Sequence, residues 1–232
     1  MKRIASTFCL LLLAVLVTGV ACAEDKDVKV SDFSSIKIAG PFKVTLVSGS
    51  PKVSLSGDED DLEKVVVDVS GDRLTVRFDN KNWKWRNKST GTIHVKIAYR
   101  NLKALQASGA STIKSGERIK ATNFELDVSG ASRLTLSLNA TKLEMDASGA
   151  SSVSLSGRVK NVEVDLSGAS SCNMLEMECD NMEGELSGAS VAKVNVRKSL
   201  DIEASGASVL KYKGKPERFS VDKSGASSAR AI

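Results

Sequence analysis

Residues Ser129–Ser151 read SGASRLTLSLNATKLEMDASGAS, opening and closing on the same tetrapeptide. Just after the first tetrapeptide, Leu134 and Leu136 alternate with Arg133, Thr135 and Ser137. Just before the next, Leu143 and Met145 alternate with Glu144 and Asp146. Period-two alternation puts one set of side chains on a buried face and the other in solvent, so both ends of the stretch read as strands. No helical period separates them.

Ser-Gly-Ala-Ser begins at Ser108, Ser129, Ser148, Ser167, Ser187, Ser205 and Ser224, with spacings of 21, 19, 19, 20, 18 and 19 residues. The apolar positions repeat with it. Val153 and Leu155, Cys172 and Met174, Ala192 and Val194, and Leu210 and Tyr212 stand where Leu134 and Leu136 do. Before the next tetrapeptide come Phe124 and Leu126, Val162 and Val164, Leu200 and Ile202, and Phe219 and Val221. Met182 and Gly184 break the pattern by placing a glycine where the others carry a large apolar residue. Parallel strands joined without a crossover helix stack economically only if the chain winds as a coil, each turn lying on the last. The sequence therefore predicts an all-β parallel β-helix, a solenoid with coils of about 19 residues.

The tetrapeptide reads as the corner. Gly supplies positive φ at a sharp turn, Ala is expected to point into a crowded corner, and stacked Ser hydroxyls are expected to form a ladder along the axis. Two extra residues in the first unit predict an outward bulge near Gly116-Glu117. Residues 1–23 read as a signal peptide, with Lys2-Arg3, an apolar run from Phe8 to Val17, and the small-residue exit Ala21-Cys22-Ala23, which suits cleavage after Ala23. A competing reading of Gly19-Val20-Ala21-Cys22 makes Cys22 a lipidated first residue. An uncleaved membrane anchor is the third reading; all three place the mature chain outside the cytoplasm, in the periplasm or at the outer membrane and cell surface, and the cleaved or lipidated chain has no transmembrane domain. Residues 24–107 read as the first coils and their N-terminal cap, with turns at Gly40-Pro41 and Ser48–Pro51. Residues 108–232 read as the regular coils of the same single domain. The C-terminal end, SGASSARAI, leaves the last coil uncovered, which points to homo-oligomers through coil ends.

Composition narrows the partners. The chain has 33 basic and 28 acidic residues, and loss of residues 1–23 removes Lys2 and Arg3, leaving a net charge of +3. That is too small to suggest a nucleic-acid partner. His94, the single histidine, alternates with Ile93 and Val95 and so faces outward. The serines lack a base, and Ser-Gly-Ala-Ser is not the Gly-x-Ser-x-Gly nucleophile elbow. Zinc spacing, a phosphate loop and the calcium-binding nonapeptide are all missing from the pattern, so neither catalytic residues nor a cofactor are expected. Cys172 takes an inward position and pairs in spacing with Cys179. Two buried thiols and a disulfide are both open readings.

Two features remain as candidate contact surfaces. Glu144 and Asp146, Glu163 and Asp165, and Glu183 and Glu185 belong to acidic pairs that recur before each tetrapeptide and would stack into two carboxylate rows. At the spacing of stacked strands, like charges repel by about 0.9 kcal/mol in water. A solvated face and a weak cation-binding face are both open. Cation binding predicts that calcium raises the melting temperature and that Glu163→Gln with Asp165→Asn removes the rise. The second feature is NWKWRNK, where Trp83, Lys84, Trp85 and Arg86 offer aromatic surface and cationic charge to an anionic glycan, a lipid surface or a protein, or else close the end of the core.

The segment FSSIKIAGPFKVTL at Phe33–Leu46, followed by LKALQASGAS and the repeated Ser-Gly-Ala-Ser coils, resembles the head GIN domain family of bacterial envelope proteins, also named for autotransporter adhesins. The resemblance covers nearly all of residues 30–227. It implies a right-handed parallel β-helix at the cell envelope and brings no catalytic residues with it. The resulting expectation is an exported, non-enzymatic envelope or surface protein that meets a glycan, protein or other envelope ligand. A carbohydrate-active or carbohydrate-binding β-helix and a rod that self-associates end to end are the alternatives.

Overall fold

A computed structural model of the chain describes residues 24–79 and 91–232. Its strands are β1 (Glu24–Lys29), β2 (Ser35–Ala39), β3 (Phe42–Ser48), β4 (Lys52–Gly57), β5 (Val65–Ser70), β6 (Arg73–Phe78), β7 (Ile93–Tyr99), β8 (Ala104–Ser108), β9 (Thr112–Val128), β10 (Arg133–Ala147), β11 (Ser152–Leu166), β12 (Ser171–Leu186), β13 (Val191–Ala204), β14 (Val209–Lys213), β15 (Arg218–Lys223) and β16 (Ser228–Ala231). A single helical turn, α1 (Glu59–Leu62), interrupts them. From β9 onward every pairing is parallel and one coil apart, which makes the fold a parallel β-solenoid.

The register follows the sequence repeat. Ile113, Leu134, Val153, Cys172, Ala192 and Leu210 lie opposite one another in a single inward column, all buried. A Val or Leu side chain buried this way contributes about 1.5–3 kcal/mol each, so the stacked columns are the main source of cohesion. Pairing slips between Thr135 and Ser137, where Ser115, Gly116 and Glu117 of the previous coil oppose one residue; this is the expected bulge. The alternation predicts at least two short strands in each unit. Instead β9–β13 run unbroken around the second corner; β9–β12 stay in register there, Ala140 pairing with Ala121 and Val159 and Val159 with Cys179, while β12 and β13 slip between Cys179 and Asn181. At that corner the inward parity changes, from Leu138 to Leu143.

The Ser-Gly-Ala corner is held by backbone. Gly149 has φ +72, and a Cβ on it would lie 2.7 Å from the Gly130 carbonyl oxygen one coil earlier. The N–H of Ala150 donates to that same oxygen at 2.8 Å, and the pair recurs coil after coil. Glycine is therefore required twice, for the left-handed turn and for the closeness of the stack. Two expectations are corrected here. The corner alanines, Ala131, Ala150, Ala169 and Ala189, are exposed, since the left-handed glycine swings them outward. The last serine of each tetrapeptide is the one that points inward: Ser111, Ser132, Ser151, Ser170, Ser190 and Ser208 are buried. Their hydroxyls form a ladder only at its first rung, Ser111 to Ser132 at 3.2 Å. The Oγ atoms of Ser151, Ser170, Ser190 and Ser208 have no partner among the described residues.

The N-terminal region is built differently. Here β1 pairs antiparallel with β4, β4 with β7, and β5 with β6, while β2, β3 and β8 join the parallel stack. The sequence suggested only strands in this region, yet SGDEDDL forms α1 because Asp58 caps it, accepting from the Asp60 N–H at 3.1 Å, with Glu59, Asp60 and Asp61 in its first turn. Aromatic residues fill this end of the core. Phe42 is buried and stacks on Phe78 with ring centroids 4.8 Å apart.

Candidate functional site

Each coil contributes two half-turns whose inward residues share one core, so their outward residues lie on different sides of the solenoid. The second half-turns carry the acids. Glu125, Glu144, Glu163, Glu183 and Asp201 are mutually in register, as are Asp127, Asp146, Asp165, Glu185, Glu203 and Asp222. The residues expected to form two carboxylate rows do so. Crowding shows at Asp146, whose carboxyl is held above the ordinary carboxylate range first by partial burial and then by Asp165, Asp127, Glu163 and Glu144. Some of the charge is answered locally. Lys142 bridges Glu144 and Glu163, reaching the latter at 3.1 Å, and its ammonium is stabilised by both. At the upper end Gln106 donates to Asp127 at 2.6 Å. Among the described residues no group of three or more Asp, Glu, His or Cys is arranged to hold a metal ion.

The first half-turns are the reverse. One outward column runs His94, Lys43, Thr112, Arg133, Ser152, Ser171, Val191, Val209 and Ser228, and its neighbour runs Lys96, Thr45, Lys114, Thr135, Ser154, Asn173, Lys193, Lys211 and Arg230. Between β7 and β16 seven lysines and arginines stand in these columns, separated by hydroxyl, amide and small apolar side chains, without a carboxylate; beyond β7 the second column runs through Ser54 to Asp27. Sequence reasoning treated these positions as mere polar spacers. The signal was there, in the lack of Asp and Glu at one phase of the repeat, but it emerges only when both phases are compared. His94 faces solvent as expected.

Between the two sides, at the second corner, the small residues Ala121 and Ala140 leave a cleft of about 460 Å³ beside Asn139, Arg158, Lys160 and Arg197. Nothing in the linear pattern marked it. Glu178 accepts from both Arg158 and Arg197 at 2.8 Å. Asp180 pairs with Lys198 at 2.9 Å, and that hydrogen bond holds its carboxyl below the usual range. A carboxylate kept ionised in this way is a poor general acid.

Cys172 and Cys179 are free thiols, both buried. Burial pushes each up to about 12, so neither is a ready nucleophile. Cys172 lies 4.0 Å from the Met145 sulfur, and Cys179 lies 3.4 Å from the Asn195 carbonyl. Trp83, Lys84, Trp85 and Arg86 fall outside the described residues, as do Cys22 and the Ala23 cleavage point. No helix among the described residues is long and apolar enough to cross a membrane.

The family model described as "Putative auto-transporter adhesin, head GIN domain" matches residues 32–216. A crystal structure described as a putative adhesin from Bacteroides fragilis superposes with a TM-score of 0.83 at 19% identity, covering 90% of this chain and 97% of that one. One described as a putative adhesin from Parabacteroides merdae gives 0.70 at 16% identity, covering 92% and 98%. One described as a putative lipid binding protein from Parabacteroides distasonis gives 0.72 at 17%, again covering 92% and 98%. At these identities the likeness concerns the fold. No curated protein matches the chain.

Proposed function

The chain belongs to the head GIN domain family, and from that premise we propose that it is an exported, non-enzymatic interaction protein of the cell envelope, adhesin-like, which meets its partners through the two charge-sorted sides of its solenoid. One observation carries the reading: from β9 to β15 eleven carboxylates stand in two columns of the second half-turns, while from β7 to β16 two columns of the first half-turns hold seven cations and no acid. In-register strands fix these rows at a spacing of about 4.8 Å, so a charged polymer or surface meets a preordered array. Such contacts are electrostatic and weaken with salt. The adhesin names of the family and of the structural neighbours agree with this.

The test is a binding screen of the purified protein against envelope glycans, anionic and neutral vesicles and envelope proteins, with and without calcium. Binding that falls with salt, and that is lost in Lys193→Glu with Lys211→Glu or in Glu144→Gln with Asp146→Asn, is the expected result. Binding to none of them, or turnover of a glycan, overturns the proposal. The cleft beside Arg158 and Lys160 supports a second reading, a carbohydrate-binding site. Lys160→Ala would then weaken glycan binding while the two charge-reversal pairs leave it unchanged.

A further inference from the structure

The last coil is unlike those before it. Strand β15 pairs with β13 on one side and β16 with β14, and no described residue pairs with the outer edge of either. Phe219 stands in the inward column of Leu200 but is 48% exposed, with no further turn among the described residues over it. Ser224 donates its N–H to Ala204 of the previous coil, so by strand alternation the N–H and C=O groups of Phe219, Val221 and Lys223 face outward and unpaired. An edge like this calls for a partner strand.

The sequence along that edge, Glu217-Arg218-Phe219-Ser220-Val221-Asp222-Lys223, is complementary to itself when read in reverse. Laid antiparallel on a second copy about a twofold axis through Ser220, it sets Glu217 opposite Lys223, Arg218 opposite Asp222 and Phe219 opposite Val221. Every cross-strand pair is then opposite in charge or jointly apolar, and Ser220 meets Ser220 on the axis. The register also suits the backbone. Phe219 and Val221, which carry the outward N–H and C=O groups, become the hydrogen-bonded pair, and Ser220 falls in a close non-hydrogen-bonded pair. Lys223 occupies an inward column that holds Val128, Ala147, Leu166, Leu186 and Ala204 in the earlier coils. A lysine there blunts indiscriminate edge pairing, yet this one register gives it Glu217 of the other copy.

We propose that the protein forms a closed twofold dimer, tail to tail, by antiparallel pairing of β15 with β15 of a second copy in the register centred on Ser220. A filament would need the opposite end as its mate. On the stack that ends in β15 that opposite end is β5, VVVDVS, whose outer edge no described residue pairs, so a filament would join β15 to β5 and grow into a series of larger species, whereas the twofold register closes on a single contact. The twofold axis runs normal to the sheet, so the acidic columns of both copies lie on one side and the cationic columns on the other. Each array is doubled, and a multivalent partner gains avidity without any new contact.

Sedimentation velocity over a wide range of protein concentrations should show a monomer–dimer equilibrium and nothing larger. Arg218→Asp or Asp222→Arg alone should weaken the dimer by about tenfold or more, and the two together should restore it, since the pair is then reversed across the axis. Melting curves matching the parent confirm that the variants fold. In parallel, Ser220→Cys under oxidation should give a disulfide-linked dimer that the parent protein does not, because the non-hydrogen-bonded pair brings the two Cα atoms to about 4.5 Å. A monomer at every concentration, a ladder of larger species, a dimer indifferent to both single reversals, or no cross-link from Ser220→Cys overturns the proposal.

Discussion

Gly71 and Gly149 share a backbone conformation, with φ of +62 and +72, and almost nothing else. Gly71 turns the antiparallel hairpin between β5 and β6 in the N-terminal region, and a Cβ built on it meets nothing within 4 Å. Gly149 turns a coil corner, where the same Cβ would press on the Gly130 carbonyl at 2.7 Å. In the hairpin, glycine answers a local demand of the turn. In the coils it also answers a demand of the neighbouring turn, because a solenoid corner is packed along its axis as well as around its bend. The N-terminal region accordingly tolerates varied turns and one helical turn, while the coils repeat a single corner seven times.

Substitution can separate the two demands. Gly149→Ala is expected to cost about 3 kcal/mol or more, combining left-handed strain of about 1–2 kcal/mol with a backbone clash that moves one coil off the next. Gly71→Ala should cost only the strain, about 1–2 kcal/mol. Asn tolerates positive φ, so Gly71→Asn should be milder still while Gly149→Asn remains severe. Urea denaturation of the four variants checks the ordering. Equal losses at the two positions would mean that stacking adds nothing to the glycine requirement.

Smaller effects separate the coils from one another. Ser132→Ala removes the hydroxyl that accepts from Ser111 inside the core, a loss of about 1 kcal/mol. Ser170→Ala removes a buried hydroxyl without a partner among the described residues, and is expected to be neutral or stabilising by up to about 1 kcal/mol. Thermal denaturation of the two variants should move in opposite directions or differ by that amount. A matching loss at Ser170 would show that its hydroxyl is satisfied in solution, by an ordered water shared along the column.

Most of the coil region was legible because its two signals have different periods. Alternation of period two assigns each residue to the inside or the outside, and the near-constant spacing of about 19 assigns it to a column, so Glu144 could be placed beside Glu163 without coordinates. The corners were not legible in the same way. Alternation cannot be carried through a left-handed residue, and so Ala150 was expected inside, where Ser151 stands instead. The cleft at Ala140 depends on the parity change at the second corner, which two consecutive strand patterns hide. The N-terminal region lacks the repeat, and without it a strand pattern cannot distinguish antiparallel β4 and β5 from one more parallel coil. Self-complementarity in ERFSVDK is present in the sequence but carries meaning only once β15 is known to be an edge.

The smallest effect follows from the same contrast between regions. Stacking a repeat in parallel register sets like on like, so Asp146 has Asp127 and Asp165 as its neighbours. An antiparallel pairing of unrelated strands sets unlike together, so Asp27 on β1 meets Lys52 at 2.9 Å and accepts from Ser54 at 2.6 Å. Their carboxyls shift in opposite directions from the ordinary 3.8: Asp146 upward, by burial and then by its acidic neighbours, and Asp27 downward, by the hydrogen bonds from Lys52 and Ser54. A raised carboxyl binds its proton more readily in the folded state, so its contribution is fully present below the unfolded value and is lost as pH rises through the folded one. A lowered carboxyl contributes above the unfolded value and loses that contribution as pH falls through the folded one. At neutral pH Asp146→Asn should therefore stabilise, by about 0.2–1 kcal/mol as expected for relief of like charges directly opposite in a sheet, and Asp27→Asn should destabilise. Both differences should fade as the pH is taken below 3.8 and, with exposed charges, should shrink in high salt. Melting temperatures of the two variants and the parent, measured from neutral to acid pH, test the pair together. Shifts of the same sign at neutral pH would mean that the stacked carboxylates relieve one another through Lys142 and bound counterions, and that the parallel register carries no electrostatic cost.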